Sequence, residues 1–567
     1  MPRYPRDAGN KTLMTPMKKK LCVPLFAMFA LSTMHAAEGD VITVTYAESG
    51  PTVVIPESLN GIVMSTVNGN HVVLQSTTTT EEYVYSLSGK TTDGSLTITG
   101  AYKLTLELNG VDITSQRGAA IDIETGKRVA VVLQEGTVNT LSDCSLGPQK
   151  AAMYFSGHPE FEGAGTLNVT GNTKHAISAK EELQIKATTG TINVLGAVSD
   201  GIHCGRGRIA NTHNYFQMDG GIVNINNAMS DAIDSDDYGC MIINGGIINA
   251  NVPGNEGAGL KCDSIFTMKG GTLNIVVSGN DAEGIRINYD AQLIGGGIVV
   301  NVSGNGSKGI KSKNKTASST SPTVLNGGTL TFGGTECLFY VHCDNFTDET
   351  TGEVTKSRAV SADKEITRKA GNIDIFSYGA LNNPFHSDST TVVEGYGGTL
   401  TIHMAPWKFY YGDFQHDMTT YVELHVNETP VPQLSDYAIG AFMGDVCVGV
   451  AVDNYLRIYS NSLENSKVSF RVFDLTTEQP VPVVSVSRDV SFQAGSTAGD
   501  ATNPIIINCS ISLVGDINGD NQIDIADATA WTNTYKINPK ELRLDIDNSG
   551  TVTRDDIKAL VSIILTQ

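Results

Sequence analysis

Two short segments near the carboxyl end carry oxygen-bearing side chains at the spacing of a calcium-binding loop. In such a loop, positions 1, 3, 5, 9 and 12 supply side-chain oxygens and position 7 supplies a backbone carbonyl. The segments GDINGDNQIDIADA and DIDNSGTVTRDDI both follow this pattern, so we expect both to bind Ca²⁺. The predicted ligands are Asp516, Asn518, Asp520, Gln522, Asp524 and Asp527 in the first loop, and Asp545, Asp547, Ser549, Thr551, Thr553 and Asp556 in the second.

Each loop leads into a segment with helical periodicity, ADATAWTNTYK and RDDIKALVSIIL. A duplicated loop–helix unit of this length, with Asp instead of Glu at position 12, resembles a type I dockerin. The resemblance implies a small α-helical, calcium-binding domain over residues 511–567. It also implies a cohesin-type scaffold protein as a partner, which would contact Ile525, Ala526, Arg554 and Asp555.

The body of the chain repeats a glycine followed by a short alternating segment. The repeated glycines are Gly165, Gly190, Gly221, Gly246, Gly271, Gly297 and Gly328, at intervals of 25 to 31 residues. Strands this short cannot bury an apolar face alone, so successive coils must stack with their strands paired in parallel. The sequence therefore predicts an all-β fold whose main domain is a right-handed parallel β-helix over residues 82–345.

A second short strand in each coil sorts its side chains into columns. An inward column is expected at Ile177, Ile202, Ile233, Leu260, Ile285 and Ile310. The next position points outward, where His203, Lys261, Arg286 and Lys311 form a largely basic column, and Lys313 stands two positions further on.

Carboxylates of neighbouring coils stand beside this basic column. Asp236 and Asp263, together with Asn288, occupy one outward column and could converge on a hard cation, which prefers oxygen ligands. Asp200 and Asp231 form a second pair at the start of the same strands. Asp200, Asp231, Asp236 and Asp263 are therefore predicted as further Ca²⁺ ligands.

The repeats resemble a known bacterial family of calcium-containing, carbohydrate-binding parallel β-helix proteins, similar in architecture to pectate lyases. The segments that carry the resemblance are YVYSLSGKTTDGSLTITG, GAGTLNVTGNTKHAISAKEELQIKATTGTINV and SDGIHC. It implies binding of an acidic plant polysaccharide such as polygalacturonate, or of cellulose, without established catalysis. His203, Lys261, Arg286, Lys311 and Lys313 are then the predicted carbohydrate-binding residues.

Two alternatives stay open for this surface. Elimination from a uronate needs a cation and a Lys or Arg that removes a proton, and both are present, so a calcium-dependent pectate-type lyase is the first alternative. A surface adhesin or structural β-helix protein is the second. Binding is favoured, because cations spread over several coils suit capture of a polyanion better than one reaction centre.

Composition and the amino-terminal residues indicate an exported protein. The net charge of −21 argues against a nucleic-acid partner. Lys18 to Lys20 precede a short apolar run and then small residues, so residues 1–36 are predicted to be a signal peptide starting at Met17. That run is too short to span a membrane, which predicts a secreted, extracellular or cell-surface protein.

The remaining segments are predicted to be β structure. Residues 37–81 form an amino-terminal β segment, and residues 346–414, where the period fails, are expected to cap the β-helix. Short alternating runs with frequent turns predict an accessory β-sandwich over residues 415–510.

Overall fold

The structure is a computed structural model that describes most of the chain. The described residues are 41–205, 215–236, 239–313, 327–378, 383–388, 392–394, 398–409, 411–431, 434, 436–477, 479–510, 514–519, 522–547 and 549–566. The predicted signal peptide and the predicted ligand Asp520 lie outside them. Among them, no helix has both the length and the apolar character needed to cross a bilayer.

Stacked coils form two large sheets with mostly parallel pairing. The larger sheet contains Val41–Tyr46, Thr52–Val54, Tyr83–Thr91, Leu104–Thr114, Arg128–Leu133, Val138–Ser142, His158–Glu162, Thr166–Gly171, Leu183–Ile185, Thr191–Ala197, Tyr215–Met218, Ile222–Ile225, Cys240–Ile243, Ile247–Val252, Phe266–Met268, Thr272–Val277, Ala291–Leu293, Gly297–Val302, Leu330–Gly333, Glu336–Val341, Ile366–Ala370, Ile373–Tyr378, Val392–Glu394 and Leu400–Ala405. The second sheet contains Val63–Asn68, His71–Ser76, Ser95–Thr99, Ile121–Glu124, Ala151–Phe155, His175–Ala179, Ile202–Cys204, Ile233–Ser235, Ala258–Cys262, Glu283–Ile287, Lys308–Ser312, Arg358–Ala362 and Phe385–Ser387. This arrangement is consistent with the predicted parallel β-helix.

The strand register confirms the predicted columns of the second sheet. Ile202 pairs with Ile233, which pairs with Leu260, although the first interval is 31 residues and the second is 27. All six residues of the inward column are fully buried. The same register places His203 beside Asp234, and Lys261 beside Arg286. Side chains at equivalent positions of consecutive coils therefore form straight rows.

An asparagine ladder runs along the larger sheet. Each side-chain amide donates to the carbonyl oxygen of the asparagine in the preceding coil, at 2.7–2.8 Å. The ladder consists of Asn168, Asn193, Asn224, Asn249 and Asn274. It ends where Val299 takes the register position after Asn274. These bonds add side-chain links between coils to the backbone pairing and the shared apolar core.

The coils extend beyond residues 82–345 in both directions. Val41–Tyr46 pairs in parallel with Tyr83–Thr91, so the amino-terminal β segment belongs to the same stack. At the other end, Val360 pairs with Phe385, and Tyr340 pairs with Phe376. A short antiparallel pair, Phe346–Thr347 with Val354–Thr355, interrupts the coil sequence there. The stack thus continues after the sequence period is lost.

Two five-stranded sheets follow the coils and share one hydrophobic core. The first contains His416–Val426, Thr429–Pro430, Tyr455–Ser460, Val483–Val486 and Ile505–Cys509. The second contains Tyr437–Met443, Val446–Val450, Glu464–Asp474, Gln479–Val481 and Val490–Gln493. Val422 and Ile507 from the first sheet belong to the same buried cluster as Phe470 and Phe492 from the second. Two sheets that meet in this way are expected of a sandwich.

The chain ends in two α-helices, Ile525–Ile537 and Arg554–Thr566. Their small core contains Trp531 and Leu560, and the Trp531 indole donates to the carbonyl oxygen of Leu544 at 2.8 Å. Asp524 caps the first helix by accepting from the Ala526 amide at 2.7 Å. Each helix follows one of the two predicted calcium loops.

Candidate functional site

The outward row of the second sheet is a mixed row of cations and carboxylates. Lys261 Nζ donates to Asp234 Oδ2 at 2.9 Å and lies 3.7 Å from Asp231 Oδ2. Both carboxylates are buried. Burial opposes the charge on Lys261, but Asp234 and Asp231 outweigh it and raise the pKa of this ammonium group above its usual range. Lys261 is therefore protonated at neutral pH.

The next cations of the row are paired as well. Arg286 Nε donates to Glu283 Oε2 at 2.8 Å, and Lys313 Nζ lies 3.2 Å from Glu283 Oε1. Burial would raise the pKa of Glu283, but the surrounding cations lower it below its usual range. Lys311 donates to the Asp363 carboxylate of the following coil. The side chains keep partial exposure, from 13% for Lys311 to 38% for Lys313.

The structure thus aligns the predicted carbohydrate-binding residues and pairs them with carboxylates, which the sequence pattern did not indicate. Two partners of Lys261, Asp231 and Asp234, lie in the preceding coil, and Asp363 follows Lys311 after a long interval in sequence. Burial in a sheet favours such pairing, because an unpaired charge there loses its hydration. Charge patterning alone did not reveal it.

The predicted calcium ligands of the coils fall into two groups. At the rim, Asn288 Nδ2 donates to Asp263 Oδ1 at 2.5 Å, and Lys261 lies 3.9 Å from Asp236 Oδ1. Inside the row, Asp200, Asp231 and Asp234 offer carboxylate oxygens within 4.8 Å of one another. Burial, and then the charge on Asp234, raise the pKa of Asp231 to about 7.

The fit of a calcium ion differs between these groups. The Lys261 ammonium group stands beside the inner carboxylates, so it already neutralises the charge that a Ca²⁺ ion would meet. At the rim, the Asp236 side chain is more exposed, at 38%, but Lys261 lies near it as well, and the Asn288 amide nitrogen faces Asp263. Calcium at Asp200, Asp231, Asp236 and Asp263 therefore stays a prediction.

Two histidines flank Asp200 at one end of the row. The His175 and His203 rings stack with centroids 4.4 Å apart, and both Nδ1 atoms face Asp200 Oδ2, at 3.0 Å and 3.2 Å. Burial lowers the pKa of His175. Burial also opposes charge on His203, but Asp200 and Asp234 outweigh it and raise the pKa of His203 to about 9.

The two tail loops make the same hydrogen bonds at equivalent positions. The position-12 carboxylate Asp527 accepts from the Ile517 and Asn518 amides through Oδ1 and from the Asp524 amide through Oδ2, at 2.7–3.0 Å. Asp556 accepts from Ile546, Asp547 and Thr553 in the same pattern, at 2.6–3.2 Å. The duplication predicted from sequence therefore extends to individual backbone amides.

The donor set of the tail loops suits a hard cation. Asp545, Asp547 and Asp556 bring carboxylate oxygens within 4.8 Å of one another. Gly550, at the turn of the second loop, adopts a left-handed conformation with φ of 79°, which the tight loop needs. Burial would raise the pKa of Asp527 and Asp556, but the amide hydrogen bonds outweigh it and lower both.

An aromatic stack near residue 340 was missed by the sequence reasoning. The Tyr340 and Phe376 rings stack at 5.3 Å, and Phe376 stacks on His403 at 4.5 Å. Tyr340 and Phe376 line a pocket of about 320 Å³ together with Tyr411, Tyr459 and Arg457, among others. The sequence does carry a signal for this stack, namely an aromatic residue at the same strand position in consecutive coils. It was not recognised because the sequence repeat fails after Gly334.

Three comparisons place the chain among known proteins. The sequence profile of a family described as carbohydrate-binding domain-containing protein matches residues 73–408. A carbohydrate-binding domain-containing protein of Acetivibrio thermocellus is 29% identical over 138 residues, which are 23% of this chain and 48% of that protein. The chain thus spans about half the length of this relative.

A solved structure described as a polysaccharide lyase-like protein from C. thermocellum, in a gadolinium derivative, is 20% identical. Its match has a TM-score of 0.35 and covers 42% of this chain and 93% of the other. The family profile covers more than half of the 567 residues. The chain therefore belongs to the carbohydrate-binding domain-containing protein family.

Proposed function

We propose that this protein is a secreted, non-catalytic polysaccharide-binding protein. Its ligand would be a linear plant cell-wall glycan of the pectin or polygalacturonate type, or of the cellulose type. A polymer would lie along the outward row of the second sheet, across successive coils. The dockerin-like tail would anchor the protein through calcium, with a cohesin-type scaffold as its partner.

The observation that carries this proposal is the straight row of partly buried charged groups on that sheet. Strands in a sheet are about 4.8 Å apart, so the row repeats similar groups along a line. A linear polymer that lies along the row can contact a similar charged group at each coil. A single pocket would contact only one part of the polymer. The matched family, whose profile covers these coils, supports carbohydrate as the ligand.

Ion pairing within the row is compatible with binding. An arginine has five N–H donors and a lysine has three, so a cation that holds one protein carboxylate keeps donors for a glycan. Arg286 and Lys261 remain partly exposed, at 16% and 19%. Hydroxyl groups of a neutral glycan can use the paired carboxylates as acceptors, and uronate groups can use the cations.

Proton chemistry along the row supports binding over elimination. A base that removes a proton from a uronate must be deprotonated at the working pH. The carboxylates around Lys261 raise its pKa, although burial opposes this. Glu283 likewise raises the pKa of Arg286 against the effect of burial. Neither residue suits the role of a general base, which disfavours two of the three cations that the lyase alternative could use, Lys261, Arg286 and Lys311.

Binding is tested by affinity electrophoresis of the full chain in gels containing polygalacturonate, with and without calcium. The protein should be retarded, and Lys261→Ala combined with Arg286→Ala should abolish the shift. A matched control is Lys467→Ala combined with Arg471→Ala, which removes the same charges from the sandwich, where they pair with Asp489 and Asp445.

Two outcomes would contradict the proposal. Equal retardation of both double variants would show that net charge, and not the row, governs migration. A steady rise in absorbance at the unsaturated-uronate band would favour the lyase. Far-ultraviolet circular dichroism of each variant checks that it is folded, so that a lost shift reports on binding.

A further inference from the structure

The histidine pair beside Asp200 has a geometry that polysaccharide binding does not need. His175 opens one strand of the second sheet, and His203 lies in the next coil, one position after the inward Ile202. Asp200 comes from the turn that precedes Ile202. The parallel register therefore brings two imidazoles and one carboxylate together from two coils.

We propose that His175, Asp200 and His203 bind a first-row divalent transition metal ion of the zinc class. Each of the three residues offers one ligand atom within 4.8 Å of the others, and both Nδ1 atoms face Asp200 Oδ2. The site is separate from the predicted calcium loops of the tail. It shares Asp200 with the calcium ligands predicted for the coils and His203 with the predicted carbohydrate-binding residues.

The distances between the ligand atoms are close to those around such an ion. Zinc binds imidazole nitrogen and carboxylate oxygen at about 2.0–2.2 Å in tetrahedral sites, so neighbouring ligands around it lie about 3.3–3.6 Å apart, and small movements of the side chains would bring the ligands to these distances. The two nitrogens lie 3.0 Å and 3.2 Å from Asp200 Oδ2. Asp234 Oδ2, at 3.4 Å from His203 Nδ1, is placed to act as a fourth ligand.

Hydrogen bonding does not account for the two nitrogens. Among the described residues, neither Nδ1 atom has a partner with hydrogen-bond geometry, although both atoms are buried. The His175 residue as a whole is only 3% exposed. Both nitrogens lie at ion-pair distance from Asp200 Oδ2 without that geometry, and a metal ion held by all three ligands would satisfy both nitrogens at once.

The ligand types favour a transition metal over calcium. Imidazole suits zinc and its neighbours in the first row, whereas calcium takes oxygen ligands. The two histidines also line a pocket of about 160 Å³, together with Lys150 and Lys174, among others. This volume leaves room for water to complete the coordination on the open side.

The test is metal binding by the full chain in excess calcium, which fills the tail loops and competes for Asp200 if the coils bind calcium there. Zn²⁺ is titrated calorimetrically, and Co²⁺ is followed by its visible d–d absorption. We expect one Zn²⁺ per chain with calcium present. His175→Gln and His203→Gln should each weaken binding at least about tenfold, because each removes a ligand. They should also remove the Co²⁺ band.

His386→Gln is the matched control, because His386 occupies the same column in a later coil and pairs with Asp388 at 2.9 Å. It should bind Zn²⁺ like the parent chain. His203→Gln decides the matter if His175→Gln fails to fold, because the column at His203 holds Ser, Asp, Lys and Arg in other coils. Equal binding by the parent and His203→Gln, displacement of Co²⁺ by calcium, or no Zn²⁺ uptake would each overturn the proposal.

Discussion

Asp122 offers a test of how burial acts on the outward row at its amino-terminal end. It stands between Thr97 and Tyr154 in the register of the second sheet, and Gln149 donates to its carboxylate at 3.2 Å. Burial, and then the charge on Glu124, raise the pKa of Asp122 to about 6. The folded state therefore binds this proton more tightly than the unfolded chain does.

The sign and size of the effect follow from this shift. Stability falls as the pH rises from the unfolded pKa near 4 to the folded pKa near 6, and it stays lower above that. A shift from 3.8 to about 6 corresponds to about 3 kcal/mol, at about 1.4 kcal/mol for each pKa unit. The carboxylate is partly exposed, so solvent screening reduces our expectation to about 1–2 kcal/mol.

Asp122→Asn removes the charge and keeps one acceptor for Gln149. At pH 8 we expect the β-helix transition to move up by about 2–4 °C, and at pH 4 we expect no change. Thermal unfolding followed by circular dichroism at both pH values measures this. Asp112→Asn is the control, since Asp112 accepts from Lys90 at 2.6 Å and should gain nothing. A lower melting temperature of Asp122→Asn at pH 8, or an equal gain at pH 4, would refute the reasoning.

Two further predictions concern the asparagine ladder and the tail. Asn224→Ala breaks two ladder bonds and should cost about 2 kcal/mol, whereas Asn168→Ala breaks one and should cost about 1 kcal/mol, as measured by urea unfolding. Equal costs would mean that the ladder bonds contribute little. EDTA should unfold residues 511–567 before the rest of the chain, because metal binding stabilises so small a core. Asp545→Ala should have the same effect as EDTA. If the helical circular dichroism signal does not change when EDTA is added, the loops do not bind calcium.

The coils could be predicted because the same pattern of residue types recurs in the sequence of each coil. A glycine at a corner and an apolar residue at a fixed offset recur, and parallel pairing transmits their alignment from coil to coil. Ile202 and Ile233 remain in register across a longer interval because hydrogen bonding of the strands, not chain length, sets the alignment. The duplication of the tail could be predicted as well, because both loops carry the same spacing of oxygen-bearing residues, while calcium binding by these loops stays a prediction.

The contacts within the site were harder to predict. They depend on the orientation of each side chain, and the position of a residue in a column does not specify this orientation. Lys261 could have extended into solvent, but it folds back onto Asp234 of the preceding coil. His175 precedes its inward Ile by two positions and His203 follows its own by one, so no single column contains both. The aromatic stack on Phe376 escaped notice because its strands follow the break in the period.

Because the strand register is regular, the stack of coils could be lengthened or shortened by whole coils. One coil of 25 residues, such as 240–264, could be removed or duplicated. Met241 and Phe266 occupy equivalent positions in paired strands, so one could take the place of the other. Either change would alter the length of the proposed binding row by one strand spacing of about 4.8 Å, and the strands on either side would pair again. Such a scaffold can be matched to longer or shorter stretches of polymer by copying a unit, without the redesign of any single contact.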